Sequence, residues 1–119
     1  MTMKIWPSTV RIPMTMPFHA SVASAKGAIE GLTRSLAAVL APRIRLNAVA
    51  PTVTDTPLAD RILSSDDKRR SAAERHPLQA IGQSDDVAKT VIWLLRDAPM
   101  VTGQVIACDG GLSSLRLLR

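Results

Sequence analysis

The sequence predicts an α/β domain with about three parallel strands and flanking helices, about half of a doubly wound sheet. Two observations lead to this fold class. The apolar spacing switches along the chain between a period of two and a period near 3.6. The resulting order is strand, helix, strand, helix, helix, strand, and strands separated by helices pair in parallel through right-handed crossovers. A complete doubly wound sheet has about six strands, so we expect a single truncated domain, 1–119.

The first predicted strand lies within residues 4–12, in an atypical N-terminal segment that covers residues 1–17. Ile5 and Val10 supply apolar positions for it. Pro7 places this strand at a sheet edge or at a bulge, because proline cannot donate a hydrogen bond to a strand ladder.

A helix is predicted over residues 20–41 and ends before Pro42. Its larger apolar residues recur at steps of three and four, which places them on one face. They are Ile29, Leu32, Leu36, Val39 and Leu40. We expect the sheet to cover Ile29, Leu32 and Leu36 and to leave Val39 exposed.

The second predicted strand covers residues 43–50, where apolar residues alternate with polar or smaller ones. These apolar residues are Ile44, Leu46, Ala48 and Ala50. Pro51 closes the strand, and a polar loop follows over residues 52–57. Residues 58–76 are predicted to form a polar helical insertion whose charged run, 66–75, is solvated.

The last helix is predicted to start at Ser84, which acts as its N-cap and is followed by two aspartates that favour the helix dipole. Its predicted apolar face consists of Val87, Val91, Ile92, Leu94 and Leu95. A final strand over residues 104–108 leads into a turn at 109–111. Cys108 lies in this apolar strand and is expected to belong to the core.

Composition and charge exclude several classes of protein. Hydrophobic residues make up 46% of the chain, which excludes wholesale disorder. The single cysteine excludes an internal disulfide framework and a paired-cysteine metal site. We expect no membrane contact and a cytoplasmic location, because no apolar run reaches about 18 residues and no signal peptide is evident. The net charge of +5 is scattered, apart from residues 68–70, so nucleic-acid binding is not predicted.

Five sequence blocks occur in a recognisable order. They read AKGAIEGLTRSLA (25–37), RIRLNAVAP (43–51), DTP (55–57), IGQSDDVAKTVIWLL (81–95) and VTGQVIACDGG (101–111). Together they strongly resemble the C-terminal half of the short-chain dehydrogenase/reductase family, over about residues 18–113. The resemblance implies a partial Rossmann-like fold, a relation to NAD(P)-dependent oxidoreductases, and NAD or NADP as cofactor, with no metal.

The resemblance assigns Lys26 to the lysine of the family's Tyr-x-x-x-Lys pair. Val22 occupies the tyrosine position, and the chain contains no tyrosine. The tyrosine matters because hydride transfer to a carbonyl leaves an alkoxide that an acid must protonate. Ser8 and Thr9 lie near the position of the family's carbonyl-polarising serine, and His19 is the candidate replacement acid.

Residues 51–56 resemble the family's Pro-Gly-x-x-x-Thr segment, which meets the nicotinamide end of the cofactor. Thr52 stands in the place of the glycine, and Thr56 is expected to bond the carboxamide. The cofactor-binding candidates are Lys26, Pro51, Thr52, Val53 and Thr56. No GxGxxG turn occurs in the 119 residues, so we expect weak NAD(P) binding in the millimolar range, about 4 kcal/mol.

The sequence therefore predicts a fragment of this family that is impaired or inactive as a stand-alone dehydrogenase. Three alternatives stay open: an active oxidoreductase with a rebuilt cofactor site, a non-catalytic interaction module, and a hydrolase. The hydrolase would use Ser8 or Ser21 with His19 or His76, although no G-x-S-x-G motif is present. We also expect a homo-oligomer, most simply a dimer, through the 20–41 helix or the edge of the 4–12 strand.

Overall fold

The computed structural model describes residues 20–117. Its helices are α1 (Ala20–Leu40), α2 (Asp66–Glu74) and α3 (Ser84–Arg96), and a 3-10 turn covers Pro57–Ala59. Its strands are β1 (Ala48–Pro51), β2 (Thr54–Asp55), β3 (Gly82–Gln83) and β4 (Val105–Cys108). The predicted strand 4–12 lies outside the described residues. Among residues 20–117, no helix combines the length and the apolar character that crossing a bilayer requires.

Two pairs of parallel strands organise the fold. Strand β1 pairs with β4, with Ala48 opposite Val105 and Pro51 opposite Cys108. Strand β2 pairs with β3, with Thr54 opposite Gly82. The predicted α/β class with parallel strands and flanking helices is confirmed.

The predicted strand 43–50 is wrong over residues 43–47, because β1 begins at Ala48. Just before β1, hydrogen bonds from side chains take the place of the backbone hydrogen bonds of a strand ladder. The Asn47 amide donates to the Val101 carbonyl at 2.9 Å and accepts from the Gln104 amide at 3.0 Å. The Leu46 amide donates to the Thr102 hydroxyl at 3.1 Å. The chain is therefore joined to the segment before β4 without forming a regular strand there.

Arg45 connects residues 43–47, the lead-in to β1, to the end of α3. Its guanidinium donates to the carbonyls of Leu94, Leu95, Ala98 and Val101 at 2.8 to 3.2 Å. The last carbonyls of a helix have no partner within the helix, and a cation there also interacts favourably with the helix dipole. Arg45 thus caps α3 and fixes its end against the start of β1.

Helix α1 matches its predicted range but not its predicted packing. Its buried residues are Thr33 and Ala37, and a Cβ added to Gly103 would lie 3.5 Å from the Ala37 Cβ. Ile29 and Leu32 are 57% and 56% exposed, and Leu36 is exposed as well. The expectation that the sheet covers these three residues is wrong, because α1 packs through the neighbouring stripe of small side chains. The expected exposure of Val39 is confirmed.

The insertion 58–76 is only partly helical. It contains the end of the 3-10 turn, a bent connection and the nine residues of α2, which Ser65 caps by accepting from the Lys68 amide. One face of this region is buried, so the expectation of a solvated run is wrong for that face. Its apolar cluster consists of Ala59, Leu63 and Ala72, against which Val53 and Ile81 pack.

Helix α3 starts at Ser84, but Ser84 is its first helical residue and not the N-cap. Gln83 is the N-cap, and its amide donates to the Asp86 carboxylate at 3.1 Å in a capping box. Leu94 is buried and Val87 half-buried. The other predicted face residues, Val91, Ile92 and Leu95, are exposed, and Cys108 is half-buried.

Replacing Arg45 with methionine should lower the free energy of unfolding by about 2–3 kcal/mol, because carbonyls at the end of α3 lose a charged donor. Urea unfolding measures this change. Arg43 is exposed in the same segment, so Arg43→Met is the matched control and should change stability by about 0.5 kcal/mol or less. Equal losses in the two variants would contradict a specific role for Arg45.

Candidate functional site

The candidate site is the segment Pro51–Thr56, which we call the 51–56 segment. It begins at the carboxyl end of β1, the edge at which ligands bind in open parallel sheets. The Thr52 amide donates to the Cys108 carbonyl at 3.2 Å. The β1–β4 ladder therefore determines where the segment leaves the sheet.

The backbone of Gly82 lies close to the middle of the segment and is hydrogen-bonded to it. Its amide donates to the Val53 carbonyl at 3.0 Å. A Cβ at this position would lie 3.1 Å from the Thr54 hydroxyl and 3.3 Å from the Val53 carbonyl oxygen. The absence of a side chain at Gly82 thus permits the β2–β3 pairing.

The Thr52 side chain is directed toward residues that follow α2. Its hydroxyl lies 2.7 Å from Nε2 of His76, and its Cγ2 would lie 3.6 Å from a Cβ placed on Gly82. The other ring nitrogen of His76, Nδ1, lies 2.8 Å from the Ala72 carbonyl oxygen. His76 is 2% exposed. His76 is one of the candidates for the hydrolase alternative, but both of its ring nitrogens are occupied by partners other than Ser21.

A second contact ties the segment to α2. The Arg69 guanidinium donates to both carboxylate oxygens of Asp55, at 2.8 and 3.1 Å. These hydrogen bonds lower the pKa of Asp55 below its usual value, and Asp55 raises the pKa of Arg69. Both side chains are about a third exposed. Sequence spacing gave no signal for this pair, because its members lie 14 residues apart in different elements.

Two threonines stabilise the segment internally. The Thr54 hydroxyl donates to the Thr52 carbonyl at 2.9 Å, and the Thr56 hydroxyl donates to the Thr54 carbonyl at 3.3 Å. A threonine oxygen that donates one hydrogen bond can still accept others. Thr56 therefore keeps the capacity to accept a hydrogen bond from an amide of a ligand.

The remaining predicted site residues come from other parts of the chain. Lys26 and Val22 lie one turn apart on α1, and both are exposed. Within residues 20–117, no hydrogen bond joins Lys26 to the 51–56 segment. The predicted Ser8, Thr9 and His19 lie outside the described residues. The described part of the chain holds no group of three or more His, Cys, Asp or Glu side chains that could bind a metal ion.

Comparison with protein families and curated proteins gives consistent matches. The family model described as Enoyl-(Acyl carrier protein) reductase matches residues 5–113. The chain is 42% identical over 106 residues to 2-(S)-hydroxypropyl-CoM dehydrogenase 3 of Xanthobacter autotrophicus, covering 84% of this chain and 42% of that protein. It is 38% identical to L-xylulose reductase of Bos taurus, covering 78% and 39%. The chain thus spans about two fifths of the length of these relatives.

Solved structures show the same similarity. The ligand-free aldohexose dehydrogenase of Thermoplasma acidophilum superposes with a TM-score of 0.75 and 36% identity, covering 84% of this chain and 43% of that one. A short-chain dehydrogenase/reductase from Brucella melitensis gives a TM-score of 0.79 and 27% identity, covering 89% and 43%. The fold is therefore Rossmann-like, as the sequence predicts.

The Asp55–Arg69 pair should make stability depend on pH. Because the folded protein lowers the pKa of Asp55 below 3.8, the pair stabilises fully above that value and loses its effect as the pH falls through the folded pKa. Arg69→Gln should therefore lower the urea midpoint at about pH 6, and the difference from wild type should shrink below about pH 3.5.

Arg70→Gln is the matched control on the same helix, because Arg70 reaches only the exposed Asp67, at 3.8 Å. Such surface pairs contribute little, so this variant should follow wild type at both pH values. A difference between Arg69→Gln and wild type that stays constant down to pH 3 would show that the ion pair is not its source.

Proposed function

This chain belongs to the short-chain dehydrogenase/reductase family, and we propose that it forms the nicotinamide side of a cofactor site for NAD or NADP. The observation that carries the proposal is the 51–56 segment at the carboxyl end of β1. Four contacts restrain it, through Cys108, His76, Gly82 and Arg69. A segment restrained in this way is preorganised, which lowers the entropic cost of binding a ligand.

The residues of the segment are compatible with the nicotinamide half of the cofactor. The Thr56 oxygen can accept from the carboxamide, and Lys26 is exposed and long enough to donate to a ribose hydroxyl. Thr52 replaces the glycine expected from the resemblance, but its side chain packs toward His76 and Gly82. It therefore leaves the opposite side of the backbone for the ligand. The cofactor, when bound, supplies or accepts a hydride.

We propose that this chain alone is impaired as an oxidoreductase. Val22 stands at the position of the family's proton-donating tyrosine, and an isopropyl group has no proton to transfer. The candidates Ser8, Thr9 and His19 stay predictions. A non-catalytic interaction module is the second candidate function, favoured by the exposed apolar residues of α1. A cytoplasmic location also stays a prediction.

Nicotinamide mononucleotide should bind the 119-residue chain with a Kd in the millimolar range, about 4 kcal/mol, and AMP should not. The reason is that the residues proposed here meet the nicotinamide half alone. Isothermal titration calorimetry with each mononucleotide tests this, and Thr56→Val and Lys26→Met should weaken binding. Lys89→Met is the control, because Lys89 lies on α3 and pairs with Asp85. Binding of AMP as tightly as nicotinamide mononucleotide, or no binding of the latter at about 10 mM, would contradict the proposal.

We also propose that the chain self-associates through α1. The large apolar residues beside the buried stripe form a continuous surface along the helix. They are Ile29, Leu32, Leu36 and Val39, and all four are exposed. A second copy of the chain would remove this surface from water and gain its hydrophobic free energy. The edge of residues 4–12, the other predicted contact, lies outside the described residues.

Sedimentation equilibrium should therefore show a mass that rises with concentration toward that of a dimer. Leu32→Glu should shift the chain toward monomer, because it places a charge within the apolar surface. Leu58→Glu is the control, since Leu58 is 93% exposed but lies in the 3-10 turn and not on α1. A monomer at every concentration would refute the proposed self-association.

A further inference from the structure

His76 is the largest fully buried side chain in the described part of the chain. It follows α2, in a stretch where the flanking Glu74 and Arg75 are exposed. A polar ring at this depth is costly unless each nitrogen has a partner. Both nitrogens do have one, and the two partners lie in different elements.

The hydrogen-bond chemistry of the ring follows from its partners. The Ala72 carbonyl can only accept, so Nδ1 carries a hydrogen and donates to it. In the neutral ring, Nε2 then accepts from the Thr52 hydroxyl. Thr52, in turn, is the second residue of the 51–56 segment. The ring therefore bridges the last turn of α2 and the start of this segment.

The ring is also enclosed from a third side. A Cβ placed on Gly110, in the turn after β4, would lie 3.4 Å from the His76 Cβ and 3.6 Å from its Cδ2. The Leu78 amide donates to the Gly110 carbonyl at 3.1 Å. Helix α2, the 51–56 segment and the turn after β4 thus meet at one side chain.

We infer that His76 is a positioning residue that sets the place of Thr52, and with it the start of the 51–56 segment, relative to α2. The effect on the segment is independent of any ligand, whereas the effect on nicotinamide binding rests on the proposed function.

The His76–Thr52 contact differs in kind from the other tether, Asp55–Arg69. The ion pair is partly exposed and is therefore screened by salt. The His76–Thr52 bond is buried at the ring, and its Thr52 hydroxyl carries no charge, so salt should leave it intact. Two tethers of different chemistry hold the segment in place, one from Arg69 within α2 and one from His76 just after it.

Two pairs of substitutions separate the positioning contact from general packing. His76→Asn can keep a donor near the Ala72 carbonyl but is too short to reach Thr52. His76→Gln can reach the Thr52 hydroxyl but gives up the Ala72 bond. Thr52→Ser keeps the hydroxyl, and Thr52→Val removes it with little change in shape. A purely structural role would not make the effect follow the Thr52 hydrogen bond across both pairs.

The measurement is amide hydrogen exchange of the ligand-free chain, followed by NMR. The amides of Thr52 and Gly82, which bond Cys108 and Val53, report on the segment. The Asp97 amide, bonded to Trp93 at the end of α3, is the reference. His76→Asn and Thr52→Val should speed exchange at the two reporter amides about tenfold and leave the reference unchanged. His76→Gln and Thr52→Ser should stay within about twofold of wild type.

A long-range proton–nitrogen spectrum adds an independent readout on the wild-type protein. It should show His76 with a hydrogen on Nδ1 and none on Nε2. The inference is overturned if Nε2 carries the hydrogen of the neutral ring, or if all four variants exchange alike. It is equally overturned if Thr52→Val leaves the reporter amides unchanged.

The consequence for binding is measured separately with nicotinamide mononucleotide. His76→Asn should raise its Kd several-fold at constant salt, and His76→Gln should restore most of the affinity. If the wild-type chain does not bind the mononucleotide, the proposed function fails while the exchange data still decide the role of His76. If it binds and the two variants have equal affinity, positioning by His76 has no effect on the site and that consequence is wrong.

Discussion

The hydrogen bonds from Arg45 to the Leu94 and Leu95 carbonyls at the end of α3, and to the Ala98 and Val101 carbonyls just after it, are the interaction on which the other contacts depend. They fix α3 against the lead-in to β1. The Asn47 side chain then bonds the segment just before β4 twice, by donating to the Val101 carbonyl and accepting from the Gln104 amide. The two strands consequently pair with Pro51 opposite Cys108. This register sets the point at which the candidate site leaves the sheet. The planar, permanently charged guanidinium of arginine suits this role, because its several N–H groups can donate to several carbonyls at once.

The pairing of β1 with β4 positions the start of the candidate site, and contacts with residues later in the chain restrain it. Gly82 approaches the backbone of the 51–56 segment closely, and Arg69 and His76 hold it to α2. In this way the region 58–76, which the sequence marks as a polar insertion, contributes both an apolar cluster and two polar tethers, Arg69 in α2 and His76 just after it. The Thr52 hydroxyl satisfies a buried ring nitrogen that would otherwise lack a partner.

The sequence predicts best what depends on neighbouring residues. The range of α1 and the start of α3 follow from apolar spacing and from the acids in the first turn of α3. The lead-in to β1 alternates like a strand, yet Arg45 and Asn47 bond through their side chains to a segment more than 50 residues away. The packing of α1 through Ala37 and the burial of His76 also depend on partners that are distant in the sequence. The local spacing of apolar residues does not predict such contacts. The family resemblance predicts the 51–56 segment as a site, but it does not predict the contacts that restrain this segment.

The most direct test of this account is to follow the amide spectrum of the isotope-labelled chain while NAD is added at fixed pH. The account predicts that the shifts concentrate on the 51–56 segment and around Lys26, at millimolar ligand. The end of α3, around Asp97, should stay unchanged. Shifts confined to other surfaces, or a spectrum that does not change at about 10 mM NAD, would contradict the claim that this chain carries the nicotinamide side of the site.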